Sequence, residues 1–130
     1  MFTASHETLI WARKNKKGNH TFNYDVACNF DWEEDSLKNP NKQMRSVWSI
    51  PTPKAEEKKF GKHPTQKSLR LLERIILTST NKKDVVLDPF CGSATTGVAA
   101  IKHGRRFVGI DTEEDYLDRL AVLRLEESTT

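Results

Sequence analysis

Hydrophobic positions are periodic in the second half of the chain and irregular in the first. Leu69, Leu72, Ile75 and Ile76 recur at helical spacing, with Arg70, Glu73 and Arg74 assigned to another face. The spacing predicts an amphipathic helix that Thr65 or Ser68 can cap. Val85-Val86-Leu87-Asp88 is a short apolar run closed by Pro89. Proline cannot donate to a ladder and biases the preceding residue towards extended backbone, so the run predicts a strand ending at Asp88. A helix over 95–103 with Gly104 as its C-cap, a strand over 106–110 and a last helix over 113–125 follow. Glu113, Glu114 and Asp115 suit the positive end of that last helix, and Leu117, Leu120, Ala121 and Leu123 make its apolar side.

The first half yields less. Glu7–Arg13 is short and rich in β-formers, which predicts a strand. A strand so close to Met1, with no preceding turn or partner, is odd for an independent domain and raises the expectation of something upstream. Asn15–Gln43 reads as a long loop with an aromatic patch (Phe22, Tyr24, Phe30, Trp32), an acidic cluster (Glu33, Glu34, Asp35) and Asn39-Pro40-Asn41. Aromatics beside basic residues suit nucleic-acid contact, and they suit anchoring the loop to a core equally well. Arg45–Ile50 predicts one more short strand, stopped by Pro51 and Pro53.

Candidate chemistry centres on the turn after the first periodic strand. Asp88 lies beyond the carboxyl end of a strand, where open α/β sheets bind ligands. Gly92, Ser93 and Ala94 keep the loop low, and Thr95 and Thr96 can satisfy free N–H groups at the helix start. Asp111 closes the next strand, 23 residues after Asp88. An acid in that place hydrogen-bonds ribose hydroxyls in nucleoside-binding βαβ units. There is no G-x-G-x-x-G, and a carboxylate at the loop start would repel a pyrophosphate. It suits a cationic ligand such as S-adenosylmethionine, with its sulfonium and ammonium. The plainer alternative is an ordinary βαβ turn without a ligand. Lys67 faces the positive end of the preceding helix, where an anionic group would offset an unfavourable charge.

At 130 residues with 36% hydrophobic content, the chain is one domain's worth. No apolar run approaches a membrane span and no leader pattern is present, so the expectation is a cytoplasmic protein. Cys28 and Cys91 make no disulfide framework, no Cys/His spacing suits zinc, and Cys91 is read as a small loop residue. Charge is uneven: residues 1–67 hold 12 Lys/Arg against 8 Asp/Glu, and residues 68–130 hold 9 against 10. Lys14, Lys16, Lys17, Lys54, Lys58, Lys59 and Lys62 fall in loop-like sequence, where they could meet phosphates or simply be solvated.

Taken together, His63-Pro64-Thr65-Gln66-Lys67, Asp88-Pro89-Phe90-Cys91-Gly92-Ser93-Ala94-Thr95-Thr96 and Phe107-Val108-Gly109-Ile110-Asp111 with Tyr116 resemble the C-terminal half of amino-methylating DNA methyltransferases. More narrowly they resemble the β class of bacterial restriction–modification enzymes. Its strings are H-P-T-Q-K-P, D-P-F-x-G-S-G-T-T and G-I-D/E followed by E-Y, in that order. Ser5–Ala12 resembles the strand before that family's target-recognition region. The resemblance covers most of the chain and is weakest over 15–43. It implies a Rossmann-like S-adenosylmethionine-dependent α/β fold with an incomplete sheet. It further implies that Asp88, Phe90, Gly92 and Ser93 line the cofactor pocket, with Thr95 or Thr96 near its amino-acid end. Asp111 would hold the ribose, and Thr65 and Lys67 would meet the methionine carboxylate. Ser68 and Ala94 stand where the family has Pro and Gly.

The family's catalytic tetrapeptide, Asp/Asn/Ser-Pro-Pro-aromatic, does not occur in these 130 residues. There, a side-chain oxygen and a backbone carbonyl accept hydrogen bonds from the target amino group while the ring stacks on the flipped base. The expectation is therefore the C-terminal portion of a site-specific DNA methyltransferase, with adenine N6 preferred over cytosine N4 as target and double-stranded DNA as substrate. Residues 1–62 would form a strand and a basic recognition-like region, with Lys14, Lys16 and Lys17 towards DNA, and 63–130 the cofactor-binding half. A missing N-terminal portion would be its partner, with no metal and no membrane. Two rivals are a non-catalytic S-adenosylmethionine-binding subunit and an RNA or small-molecule methyltransferase.

Overall fold

The structure is a computed structural model that describes residues 5–30, 32, 42 and 44–130. Its elements are α1 (Tyr24–Asn29), a 3-10 turn (Glu56–Lys58), α2 (Leu69–Ser79), β1 (Val85–Asp88), α3 (Thr95–Lys102), β2 (Arg106–Gly109), α4 (Glu114–Tyr116), a π turn (Leu117–Ala121) and α5 (Val122–Thr129). β1, α3 and β2 form the central unit. The two strands are parallel, with Val86 opposite Phe107 and Asp88 opposite Gly109. Ile110 N–H then donates to Asp88 O and Cys91 N–H to Ile110 O, each at 2.9 Å, extending the pairing beyond β2.

Alternation along the strands decides which face is covered. Val86 and Phe107 point to one side and pack, with Leu69 and Leu72, against a core of Ile76, Ala99 and Ala100. The small Ala99 and Ala100 let α3 lie close to both α2 and the sheet. Val85, Leu87 and Val108 point to the other side, where they are 53%, 60% and 48% exposed. This α/β sheet, two-stranded among the described residues, is thus layered with helices on one face only.

Both strands expected in the first half are absent: residues 7–13 and 45–50 are irregular. Among the described residues their β propensity finds no neighbouring strand to pair with, and propensity without a ladder does not make a strand. Trp11 instead packs on His20 and Phe22, and Trp48 Nε1–H donates to Arg45 O at 2.7 Å. Within the expected loop, α1 forms and docks on α2. Asn23 supplies the join, its Nδ2 donating to Leu77 O and Thr80 O at 2.8 Å, where the end of α2 leaves carbonyls free. The acidic cluster and Asn39-Pro40-Asn41 lie outside the described residues.

On α2 the expected polar face is partly inside. Glu73 and Arg74 are buried. Arg74 lies between the rings of Trp32 and Trp48, 4.9 and 5.0 Å from their centroids, and so fastens the first half to the helix. Glu73 takes Lys102 at 2.8 Å and His103 at 3.1 Å. Neither Thr65 nor Ser68 caps this helix through its side chain; Glu57, from the 3-10 turn, accepts Leu69 N–H at 2.7 Å instead. The C-cap of α3 is His103, one residue earlier than expected, and Gly104 follows it at φ +77. The last helical segment also turns differently from expectation, with Leu120, Ala121 and Arg124 buried and Leu123 exposed.

Candidate cofactor-binding site

The turn between β1 and α3 is built on two carboxylates. Asp88 Oδ1 accepts Phe90 N–H at 3.1 Å, and its Oδ2 accepts the Thr96 hydroxyl at 2.6 Å. Asp111 Oδ2 accepts Gly92 N–H at 2.7 Å, and its Oδ1 accepts Glu113 N–H at 3.0 Å. The N–H groups of Glu113 and Gly92 hold the Asp111 carboxyl below its ordinary range. Each carboxylate therefore ties the loop to a strand end. Gly92 suits its place, since its φ of +49 disfavours a Cβ and a Cβ there would lie 3.0 Å from His63 Nε2.

Facing this loop, His63-Pro64-Thr65-Gln66-Lys67 forms the opposite wall of a cleft. Thr65 and Lys67 line it from that side. Asp88, Phe90, Gly92, Ser93, Thr95 and Thr96 line it from the loop. Asp111 is not part of the wall and sits behind Gly92, at the end of the neighbouring strand. Phe90 is 88% exposed, so its ring is free apolar surface at the cleft. Lys67 Nζ is met by the Glu7 carboxylate at 2.7 Å, an anion supplied by the chain itself. Thr95 and Thr96 are not helix caps, because α3 has no side-chain cap and both hydroxyls are engaged elsewhere.

His63, Gln66, Leu72 and Cys91 also line the cleft and were not among the expected site residues. His63 packs at a tilt on Tyr116, ring centroids 4.3 Å apart, which joins the first and third motifs. Its place at the head of the H-P-T-Q-K string was the available signal. Gln66 Nε2 donates to Glu57 O at 2.8 Å and steadies that wall. Cys91 is buried, and burial, with Asp111 and Asp88 nearby, pushes its thiol pKa up. Behind the loop, the guanidinium of Arg124 donates from Nη1 to Ser93 O at 2.6 Å, Ser93 Oγ at 2.9 Å and Thr95 Oγ1 at 2.8 Å. The only sign of this interaction in the sequence is a charge on an otherwise apolar helix side.

Lys14, Lys16 and Lys17 are exposed, and none forms an ion pair with a described residue. They follow a small depression lined by Trp11, Ala12, Arg13 and His20. Among the described residues no cluster of His, Cys, Asp or Glu could hold a metal ion, and no helix is long and apolar enough to cross a membrane.

Three type II methyltransferases are similar along nearly the whole chain. M2.LlaDCHI of Lactococcus lactis subsp. cremoris is 50% identical over 99% of this chain and 45% of its own length. M2.DpnII of Streptococcus pneumoniae is 53% identical over 96% of this chain and 44% of its own length. M2.MboI of Moraxella bovis is 46% identical over 98% and 44%. The chain thus spans less than half the length of these relatives. Among solved structures, the M1.HpyAVI–SAM complex is 52% identical over 50% of this chain and 33% of its own, with a TM-score of 0.47. The family profile for N6/N4 methyltransferases, described as DNA methylase, matches residues 1–122, and the chain belongs to that family.

Proposed function

We propose that this chain is the cofactor-binding portion of a site-specific, amino-methylating DNA methyltransferase, with S-adenosylmethionine as methyl donor and double-stranded DNA as substrate. The observation that carries the reading is the cleft. At the carboxyl end of β1 it sets the Asp88 carboxylate and the exposed Phe90 ring opposite the Lys67 ammonium. S-adenosylmethionine has an ammonium, a carboxylate, a sulfonium and an adenine to match such a mixed wall. Lys67 and Thr65 take the methionine carboxylate in this reading. Lysine has three donors, so Lys67 can keep or exchange Glu7 as it does so. Asp111 takes the ribose with the lone pairs that Gly92 and Glu113 leave free. When bound, the cofactor supplies the electrophilic methyl group, and these residues bind and orient it.

The groups that would hold a flipped base and its amino group are not in this sequence, so the proposal places them in an N-terminal portion, on a separate chain or the same one. Adenine N6 is the proposed target, ahead of cytosine N4, and the proposed location is the cytoplasm. Lys14, Lys16 and Lys17 face the DNA backbone. Three measurements test the reading. Calorimetry should show S-adenosylmethionine binding that Asp88→Ala weakens about ten- to a hundredfold, the worth of hydrogen bonds to a charged group. Tritiated-methyl transfer to mixed DNA should be absent with this chain alone and appear when the N-terminal portion from the same locus is co-expressed. Nucleoside digestion of that product should then give N6-methyladenine. Unchanged affinity in Asp88→Ala would remove the pocket, and site-specific methylation by the 130-residue chain alone would overturn the division of labour.

A further inference from the structure

The loop between Cys91 and Thr95 contains a conformation that its own sequence does not favour. Ala94 is wholly buried and has φ 55 and ψ 34, in the left-handed region where an L side chain with a Cβ is disfavoured. Local hydrogen bonds contribute to holding it, with Ala94 N–H on Cys91 O at 2.7 Å and Val98 N–H on Ala94 O at 3.0 Å. The residues on either side of Ala94 are held by something else. Ser93 and Thr95, both buried, converge on a single nitrogen of Arg124, 31 and 29 residues further along the chain.

Arg124 itself calls for a reason. It is buried, and among the described residues no carboxylate lies within ion-pairing distance of it. Glu57 and Glu127 act on it only at longer range, while burial pulls its pKa down. An uncompensated cation in such a place normally destabilises a fold, unless its hydrogen bonds are well used. Here the two N–H groups of Nη1 are shared among three acceptors on the two residues flanking the strained alanine. A helix glued down for stability alone could do the same with a leucine. We propose that Arg124 is a positioning residue: by pinning Ser93 and Thr95 it keeps Ala94 left-handed and the Cys91–Thr95 loop in the shape that accepts the cofactor. The proposal rests on the cofactor reading only for its ligand, because the shape of the loop can be followed without one.

Cys91, buried in the loop with its thiol pKa raised by that burial, reports that shape. In a Cys28→Ser background of the full chain, the rate of Cys91 modification by a neutral thiol reagent is measured beside S-adenosylmethionine affinity and thermal midpoint. Arg124→Met should raise the labelling rate and weaken the cofactor, each about ten- to a hundredfold, as hydrogen bonds to a charged group are removed. Placing glycine at 94 removes the need for pinning, so Ala94→Gly should reverse much of both effects in Arg124→Met and change much less in the parent chain. Arg124→Lys, which keeps the charge on a shorter side chain without the planar fork, gives the same reading at smaller amplitude should Arg124→Met fail to fold. Labelling unchanged in folded Arg124 variants would overturn the proposal. So would a glycine effect equal in both backgrounds, which is what a purely structural arginine predicts. If the parent chain binds no S-adenosylmethionine, the cofactor reading fails, and the labelling alone still decides the role of Arg124.

Discussion

Gly97 offers a sharp test of the packing that sets the loop. It lies in the first half of α3, where glycine is the poorest ordinary residue, and replacing it with alanine would normally gain about 1 kcal/mol. Here the added Cβ would lie 2.6 Å from Cδ1 and Cε1 of Phe107 and 2.7 Å from a methyl of Leu125. Leu125 can swing aside. Phe107 cannot do so freely, because its ring packs on the Ile76, Ala99 and Ala100 core and the same edge, at Cε1, also faces Gly109, where a Cβ would come within 2.8 Å. The ring thus occupies a slot formed by two glycines. Overpacking a boxed ring costs about 2–3 kcal/mol, so the net effect of Gly97→Ala should be a loss of about 1–2 kcal/mol. For a chain of this size that lowers the thermal midpoint by roughly 3–10 °C, read by circular dichroism at about 222 nm. Phe107→Leu should relieve the clash, so the double variant should lose less than the sum of the two singles. A midpoint at or above the parent's in Gly97→Ala would refute the slot and with it the account of how β2 seats on α3.

Two further expectations concern charge. Neutralising Lys14, Lys16 and Lys17 together should flatten the salt dependence of DNA binding by the complemented enzyme, by a slope of roughly 0.9 for each phosphate they neutralise, and an unchanged slope would make them bystanders. Asp111 should make the fold acid-sensitive. Its carboxyl is depressed by the N–H groups of Glu113 and Gly92, so its stabilising effect is present above the ordinary carboxylate range near pH ~4 and disappears as pH falls through the depressed value. Denaturant titrations from pH ~6 down to ~2 should show a steeper loss in the parent than in Asp111→Asn, and parallel curves would assign the acid transition to other carboxylates.

The second half was legible because its signals are local. A β-branched run cut by a proline, a glycine after a helix and an acid closing the next strand all act within a few residues. β1, α3 and β2 accordingly stand where the pattern put them. The misreadings share one cause, which is that a long-range partner decided the outcome. Residues 7–13 and 45–50 have the composition of strands but no ladder to join. Arg74 and Glu73 were set on a face apart from the apolar one, yet two tryptophans and a lysine–histidine pair made burial tolerable. Thr95 was read as a cap, and Arg124 claimed its hydroxyl.

The uncovered side of the sheet bears on the proposed division of labour. Parallel strands are ordinarily covered on both faces, and their near-continuous apolar runs follow from that double burial. β1 has such a run, but only Val86 finds a core, and Val85 and Leu87 stay more than half exposed. An apolar face of this kind, beside a strand edge that no described residue pairs, is a site for association. On the proposed reading, the portion that carries the catalytic tetrapeptide would add a strand beside β1 and cover that face. The cleft would gain its remaining wall in the same step. Cofactor affinity and methyl transfer should therefore rise together on complementation, because one docking event completes both the sheet and the site.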